Sequence, residues 1–411
     1  MYNKWTYIIL LVFLSSCYKE IIYKEPDSDL FQLTVADETE KFIYQSRDTS
    51  YTVADHLTTL RFNGEELDLD EIRVRGKSAL RFRRKSYAVF LNTPIFVESR
   101  NGLETKQLTR FKLIALAQDY TYIENRISFG LLEEAGVMPL FYKFVELRIN
   151  DATQGIYMLI EDPEQYFLEN GSEYILRRGY NHSIDDSEYF PSFNYLSREA
   201  YLNRYMEIYD SLRMKQEEEL FSFINERLDT DQYFRKMAID YLLMNGDYTD
   251  EIYLYSRVTN GSIRFRIIPW DYDDVFDDQP HEVGIQWGLG TIYGKRYYPT
   301  VASVREVTGD RLIFSVEDDL DYTIAMDSVL YDHYSAVVKE LLLTMDADLI
   351  DRIFDETSEE LSSFYAYPPV VEQSRYDVEA ADMEAWIKNM EEKRSFLKER
   401  LLDMKMKITA Q

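Results

Sequence analysis

In Met244-Asn245-Gly246-Asp247-Tyr248-Thr249-Asp250-Glu251 and Ile268-Pro269-Trp270-Asp271-Tyr272-Asp273-Asp274, two acidic runs flank a segment patterned as a pair of strands. Ile252-Tyr253-Leu254-Tyr255 leads out, Asn260-Gly261 is a hairpin turn signal, and Ile263 to Ile268 leads back. Upstream, Phe234, Met237, Ala238, Tyr241 and Leu242 fall on one face of a predicted helix that ends just before Asn245 and Asp247. A helix, an acid, two short strands and a second acid bring Asp247 and Asp271 to the same side of a small sheet. That is how phosphotransfer folds place a base beside a metal ligand, so nucleotide chemistry leads the functional reading.

Outward from this point the chain divides by period. Toward the N-terminus it reads mostly as strand, from Phe31 to about Glu161: Ile72-Arg73-Val74 alternates, Tyr87 to Leu91 and Phe111 to Leu116 are apolar runs, and Asn63-Gly64 and Asn101-Gly102 are turn signals. One helix interrupts, Tyr122 to Ala135, with Gly136 as its stop. Phe144 to Ile149 and Gly155 to Ile160 are expected to pair across Asn150-Asp151-Ala152-Thr153. From about Tyr201 the period becomes helical, with Tyr205, Ile208, Tyr209 and Leu212 on one face. A loop is expected over about Asp277 to Asp310, then helices at Val329 to Met345 and Met383 to Met404, the last with Met383, Ile387, Met390, Leu397 and Leu401 along its apolar stripe. The expected class is α+β, with a β-rich lobe over about 31–180 and a helical lobe over about 200–410.

Composition narrows the function. With 46 basic against 74 acidic residues, a net charge of −28, the chain lacks the cationic footprint that a nucleic-acid backbone requires. Four histidines and one cysteine leave little material for zinc or thiol chemistry.

The N-terminus reads as an export signal. Lys4 precedes the apolar run Tyr7 to Leu14, too short to stay in a bilayer, and Leu14-Ser15-Ser16-Cys17 resembles a bacterial lipobox. Residues 1–16 are then a lipoprotein signal peptide, Cys17 the acylated first residue, 17–30 its tether, and 31–410 the folded part. The membrane is reached through lipid alone.

Four segments carry a family resemblance: Arg73-Val74-Arg75-Gly76-Lys77-Ser78, Arg83-Arg84-Lys85-Ser86-Tyr87, Gly155-Ile156-Tyr157-Met158-Leu159-Ile160-Glu161 and Pro269-Trp270-Asp271-Tyr272-Asp273. In order and spacing they resemble the spore-coat protein H (CotH) kinase family over roughly residues 60 to 400. The resemblance implies an atypical protein-kinase-like fold that uses ATP with Mg²⁺ or Mn²⁺ to phosphorylate a hydroxyl of a protein or surface polymer. It implies Asp247 as the catalytic acid, Asp271 with Asp273 as metal ligands, and Lys85 and Arg75 among cations facing phosphate. Glu161 ends a strand where kinase-like folds meet the adenine ring. Lys112 competes with Lys85 for the phosphate.

Departures from the family pattern keep other readings open. Asp250-Glu251-Ile252 stands where an asparagine usually supplies a second metal ligand, so Glu251 is a candidate ligand or that site is lost. Arg75-Gly76-Lys77-Ser78-Ala79 replaces Arg-Gly-Asn-Ser-Ser. A pseudokinase or a surface lipoprotein acting as a binding module is the alternative, and a glycosidase using Asp247 and Asp271 as its acid pair is a third. Asp271, Asp273 and Asp274 also suit a helix-capping turn, and Arg81 to Lys85 the solvated side of an edge strand.

Overall fold

The computed structural model describes residues 25–26, 28–47, 51–53, 57–76, 78–179, 182–191, 196–246, 251–259, 261–276, 301–374 and 382–410. Cys17, the predicted signal segment, Lys77, Asp247, Asp250, Asn260 and residues 277–300 lie outside these.

The fold is mixed α+β, with two sheets and a large helical portion. The larger sheet has nine strands: β1 (Leu30–Thr34), β2 (Tyr51–Thr52), β3 (Thr59–Phe62), β4 (Glu65–Glu66), β5 (Leu69–Arg75), β6 (Ser86–Glu98), β7 (Thr105–Ile114), β8 (Tyr142–Ile149) and β9 (Ala152–Glu161). Their spatial order is β2-β5-β6-β7-β9-β8-β1-β3-β4, antiparallel except where β1 lies parallel to β8. The smaller sheet is β11-β10-β12-β13, built from β10 (Tyr174–Arg178), β11 (Ile184–Tyr189), β12 (Ile252–Thr259) and β13 (Ser262–Pro269). Residues 174–178 therefore hydrogen-bond to the hairpin 252–269 and not to the larger sheet.

Period-two alternation explains how β9, inside the larger sheet, is buried on both faces. Along β9, Tyr157 and Leu159 enter one apolar core with Val89, Phe111 and Leu147, while Ile156, Met158 and Ile160 enter the other with the helices. The near-continuous apolar run Gly155 to Ile160 is the sequence trace of a strand with no solvent face.

Turn chemistry fixes registers. Asn63 and Gly64, with φ of 50° and 85°, make the tight turn between β3 and β4. Asn150 and Asp151 (φ 48° and 66°) join β8 to β9 in a two-residue turn, so Ala152 and Thr153, expected in that loop, already pair with Ile149 and Arg148.

Helix Thr230–Leu243 is buried nearly all round and ends where Met244 turns left-handed at φ 53°. Inside the expected 277–310 loop, Val301–Thr308 is helical. The C-terminal helix Met383–Ala410 buries Trp386, Met390, Leu397, Leu401, Met404 and Ile408, whereas Met383 and Ile387 of the predicted stripe are exposed. At that end the buried face is set by Trp386, which stacks on Tyr365 with ring centroids 4.5 Å apart. Among the described residues no helix is long and apolar enough to cross a membrane.

Candidate active site

Hairpin β12–β13 closes where the amide of Trp270 donates to the carbonyl of Glu251 at 3.1 Å. The next residue, Asp271, adopts φ 46°, a left-handed conformation that costs a non-glycine residue energy. Beyond it the chain is held at both ends of Tyr272. Its backbone N–H donates to Asn125 Oδ1 at 2.8 Å, and its hydroxyl donates to Asp240 Oδ1 at 2.8 Å.

Asp240 joins the two acidic segments. It is buried on helix Thr230–Leu243 and also accepts from Asn245 Nδ2 at 3.1 Å and Lys236 Nζ at 2.6 Å. A carboxylate this buried is tolerated only with such donors around it. Burial, followed by the neighbouring Asp240 carboxylate, holds the Tyr272 hydroxyl well above the usual phenol range, so it remains a donor.

Backbone bonds complete the junction. The amide of Gly246 donates to the carbonyl of Asp274 at 2.8 Å, and that of Phe276 to the carbonyl of Leu243 at 2.8 Å. Gly246 immediately precedes Asp247, whose own placement is outside the described residues. The segment leading to the first acid is thus tied directly to the loop carrying the second.

Cations gather on the adjoining face. Lys112 Nζ lies 4.6 Å from the centre of the Trp270 ring and 3.4 Å from Asp162, and the Arg75 guanidinium lies 5.7 Å from the same ring. Two like charges over one indole, next to Asp271, form a place suited to an anion.

Lys85 is located elsewhere, which corrects its expected place among the phosphate-facing cations. Its side chain is 1% exposed and its Nζ donates to the carbonyls of Ser46, Leu80 and Phe82, each at 2.5 Å. Three acceptors match the three N–H bonds of an ammonium, so this lysine organises the turn before β6. Of the two candidate lysines, Lys112 is the one beside the Asp271 loop. The basic run divides: Arg81 and Arg83 are exposed, whereas Arg84 is buried, reaching the carbonyl of Gln154 at 2.9 Å and the hydroxyl of Tyr122 at 3.0 Å.

Glu251 is buried and its carboxylate is ion-paired with Arg177 at 2.5 Å. Glu161 faces away from Lys112: its carboxylate meets Lys106 at 2.7 Å and accepts from the Phe141 amide at 3.1 Å. There it lines a separate groove of about 1330 Å³, shared with Arg100, Glu133 and Glu360. Asp273 Oδ2 accepts from Gln118 Nε2 at 3.1 Å. Arg75 and Lys112 therefore meet on the ring of Trp270, the residue before Asp271, while Lys85 and Glu161 are engaged by other partners.

Sequence reasoning passed over Asp240 and Arg177. Asp240 had a visible signal, an acid among apolar residues one turn before the end of a helix. Arg177 acts through a tertiary contact and left none.

Among the described residues no three His, Cys, Asp or Glu side chains are grouped as a closed metal cage requires. Mg²⁺ in phosphotransfer sites is held by one or two carboxylates together with phosphate oxygens and water. Asp271 and Asp273 on one short loop fit that donor set.

The sequence of this α+β chain matches a known family over most of its length. The profile of the family described as CotH kinase protein covers residues 72–403, and the chain belongs to that family. A relative is the inner spore coat protein H of Bacillus subtilis (strain 168), 22% identical over 241 residues, 54% of this chain. The match spans 62% of that relative, less than two thirds of its length.

Proposed function

We propose that this protein is an atypical kinase of the cell envelope, lipid-anchored through Cys17, that transfers the γ-phosphate of ATP to a hydroxyl of a protein or surface polymer. The reading includes a kinase-like arrangement, with the nucleotide between the larger sheet and the helical portion. Its main support is the hydrogen bond from Gly246 to Asp274, which ties the segment before Asp247 to the Asp271 loop. Family membership and the two cations over Trp270 agree with it.

In this reading Asp247 orients the acceptor hydroxyl and takes its proton while the acceptor oxygen bonds to the γ-phosphorus and the bridging oxygen leaves with ADP. Arg75 and Lys112 face the phosphates. Asp271 and Asp273 would hold Mg²⁺ or Mn²⁺, which supplies charge neutralisation at the phosphate oxygens.

One observation favours a second reading, a non-catalytic binding module of the same fold. Glu251, the replacement for the usual second metal ligand, is engaged by Arg177. Incubation with labelled ATP and Mg²⁺ or Mn²⁺, beside Asp247→Ala and Asp271→Ala, separates the two. Label transfer lost in both variants supports the kinase. Transfer that survives both removes the mechanism, and ATP binding without transfer by the unaltered protein leaves the binding module.

A further inference from the structure

We propose that Asn125 is a positioning residue for the Asp271 loop, an inference that deepens the phosphotransfer reading and rests on it for its link to metal binding. Asn125 is 2% exposed, and its side chain faces the Tyr272 N–H at 2.8 Å. Because a backbone N–H only donates, the atom facing it is the amide oxygen, which leaves Nδ2 on the far side. That Nδ2 is buried with no acceptor among the described residues. An asparagine kept in the interior with half its amide unsatisfied is a poor choice for packing, where leucine of similar size would carry no such cost. Its oxygen accounts for the choice. It fixes the peptide joining Asp271 to Tyr272, and so holds Asp271 in the left-handed backbone that the residue would otherwise leave.

The mount behind Asn125 is rigid. Its neighbours on helix Glu124–Glu134 are clamped by two different helices: Arg126 Nη2 and Nε reach Glu360 Oε1 at 2.7 and 3.0 Å, and Lys393 donates to Glu124 Oε1. One turn on, a Cβ at Gly130 would meet Ile353 Cγ2 at 3.0 Å, so helix Ala347–Tyr365 lies close against this one. A side chain held this way transmits position to the loop it grips. The C-terminal helices, remote from the acids in sequence, thereby serve the site through Asn125.

The test uses Asn125→Leu, which keeps the volume and removes both the acceptor and the unsatisfied donor, with Asn125→Ser as a second variant. Two measurements are made on the whole protein: amide hydrogen exchange at Tyr272, and the Mn²⁺ concentration giving half of the ATP-dependent thermal shift. Loss of an outer-shell contact to a metal-binding loop raises that concentration roughly 10–100-fold. Exchange at Tyr272 accelerates while the hairpin 252–269 keeps its protection. Folded variants with unaltered Tyr272 exchange overturn the proposal. If the unaltered protein shows no Mn²⁺-dependent shift with ATP, the phosphotransfer reading fails separately, and exchange at Tyr272 alone decides the positioning role in the same two directions.

Discussion

Lys85→Met distinguishes a structural lysine from a phosphate-binding one. Methionine retains the length and packing of the stem but donates nothing, so the carbonyls of Ser46, Leu80 and Phe82 all lose their partner. A hydrogen bond from a charged donor contributes about 1.5–3 kcal/mol, and three at one nitrogen are not additive. Leaving a buried carbonyl without its donor costs about 1–3 kcal/mol. Against a total stability of about 5–15 kcal/mol, that loss is visible at once in urea denaturation. The midpoint falls while the slope is retained, and nucleotide affinity measured on the folded fraction is unchanged. Lys112→Met, made in parallel, leaves most of the stability and weakens ATP binding. A Lys85→Met protein with unaltered stability and lost ATP binding would refute the assignment and return Lys85 to the phosphate.

Further outcomes follow from the clamps and cores. Burial, then the adjacent Asp119, push the Glu124 carboxyl up to about 8 despite Lys393 beside it. A carboxyl whose pKa is higher folded than unfolded binds more protons in the native state, so its contribution is fully present below about 4.5 and is lost as pH rises toward 8. Glu124→Gln should flatten the fall in thermal midpoint between pH 5 and 8, and an unaltered slope counts against the linkage. Glu360→Ala leaves the buried Arg126 with Glu356 at 3.5 Å as its one carboxylate partner among the described residues, and should cost about 3 kcal/mol in urea denaturation. On the C-terminal helix, Trp386→Ala should cost about 3–5 kcal/mol and Ile387→Ser no more than about 0.5 kcal/mol by the same measurement; the reverse order would restore the face expected from sequence.

Much of the secondary structure was legible because local chemistry dictated it. Asn63-Gly64 has the left-handed geometry its residues favour, and the alternation at Ile252 to Tyr255 and Ile263 to Ile268 marks strands that pair in register, Ile252 opposite Pro269 and Tyr255 opposite Arg266. The helix before Asn245 ends within a residue of where its apolar face stops. Charge was less readable than hydrophobicity. Arg83-Arg84-Lys85 looks like one basic stretch, yet Arg84 and Lys85 are buried on backbone carbonyls, because a cation's destination depends on which acceptors the tertiary fold leaves unpaired. Lys112, the one cation within the apolar run Phe111 to Leu116, carried the better clue. Glu161 was misleading for the opposite reason: on a strand buried on both faces, a shift of one residue decides the side, and Ile160 rather than Glu161 shares its face with Lys112.

The parallel seating of β1 has a mechanical side. This strand lies inside the larger sheet, bonded to β8 on one flank and β3 on the other. A pull along the backbone preceding Leu30 meets both ladders lengthwise, so their bonds are loaded in shear together instead of being unzipped singly. Tension reaching the domain from that end is absorbed by the sheet before it can disturb the loops that hold Asp271.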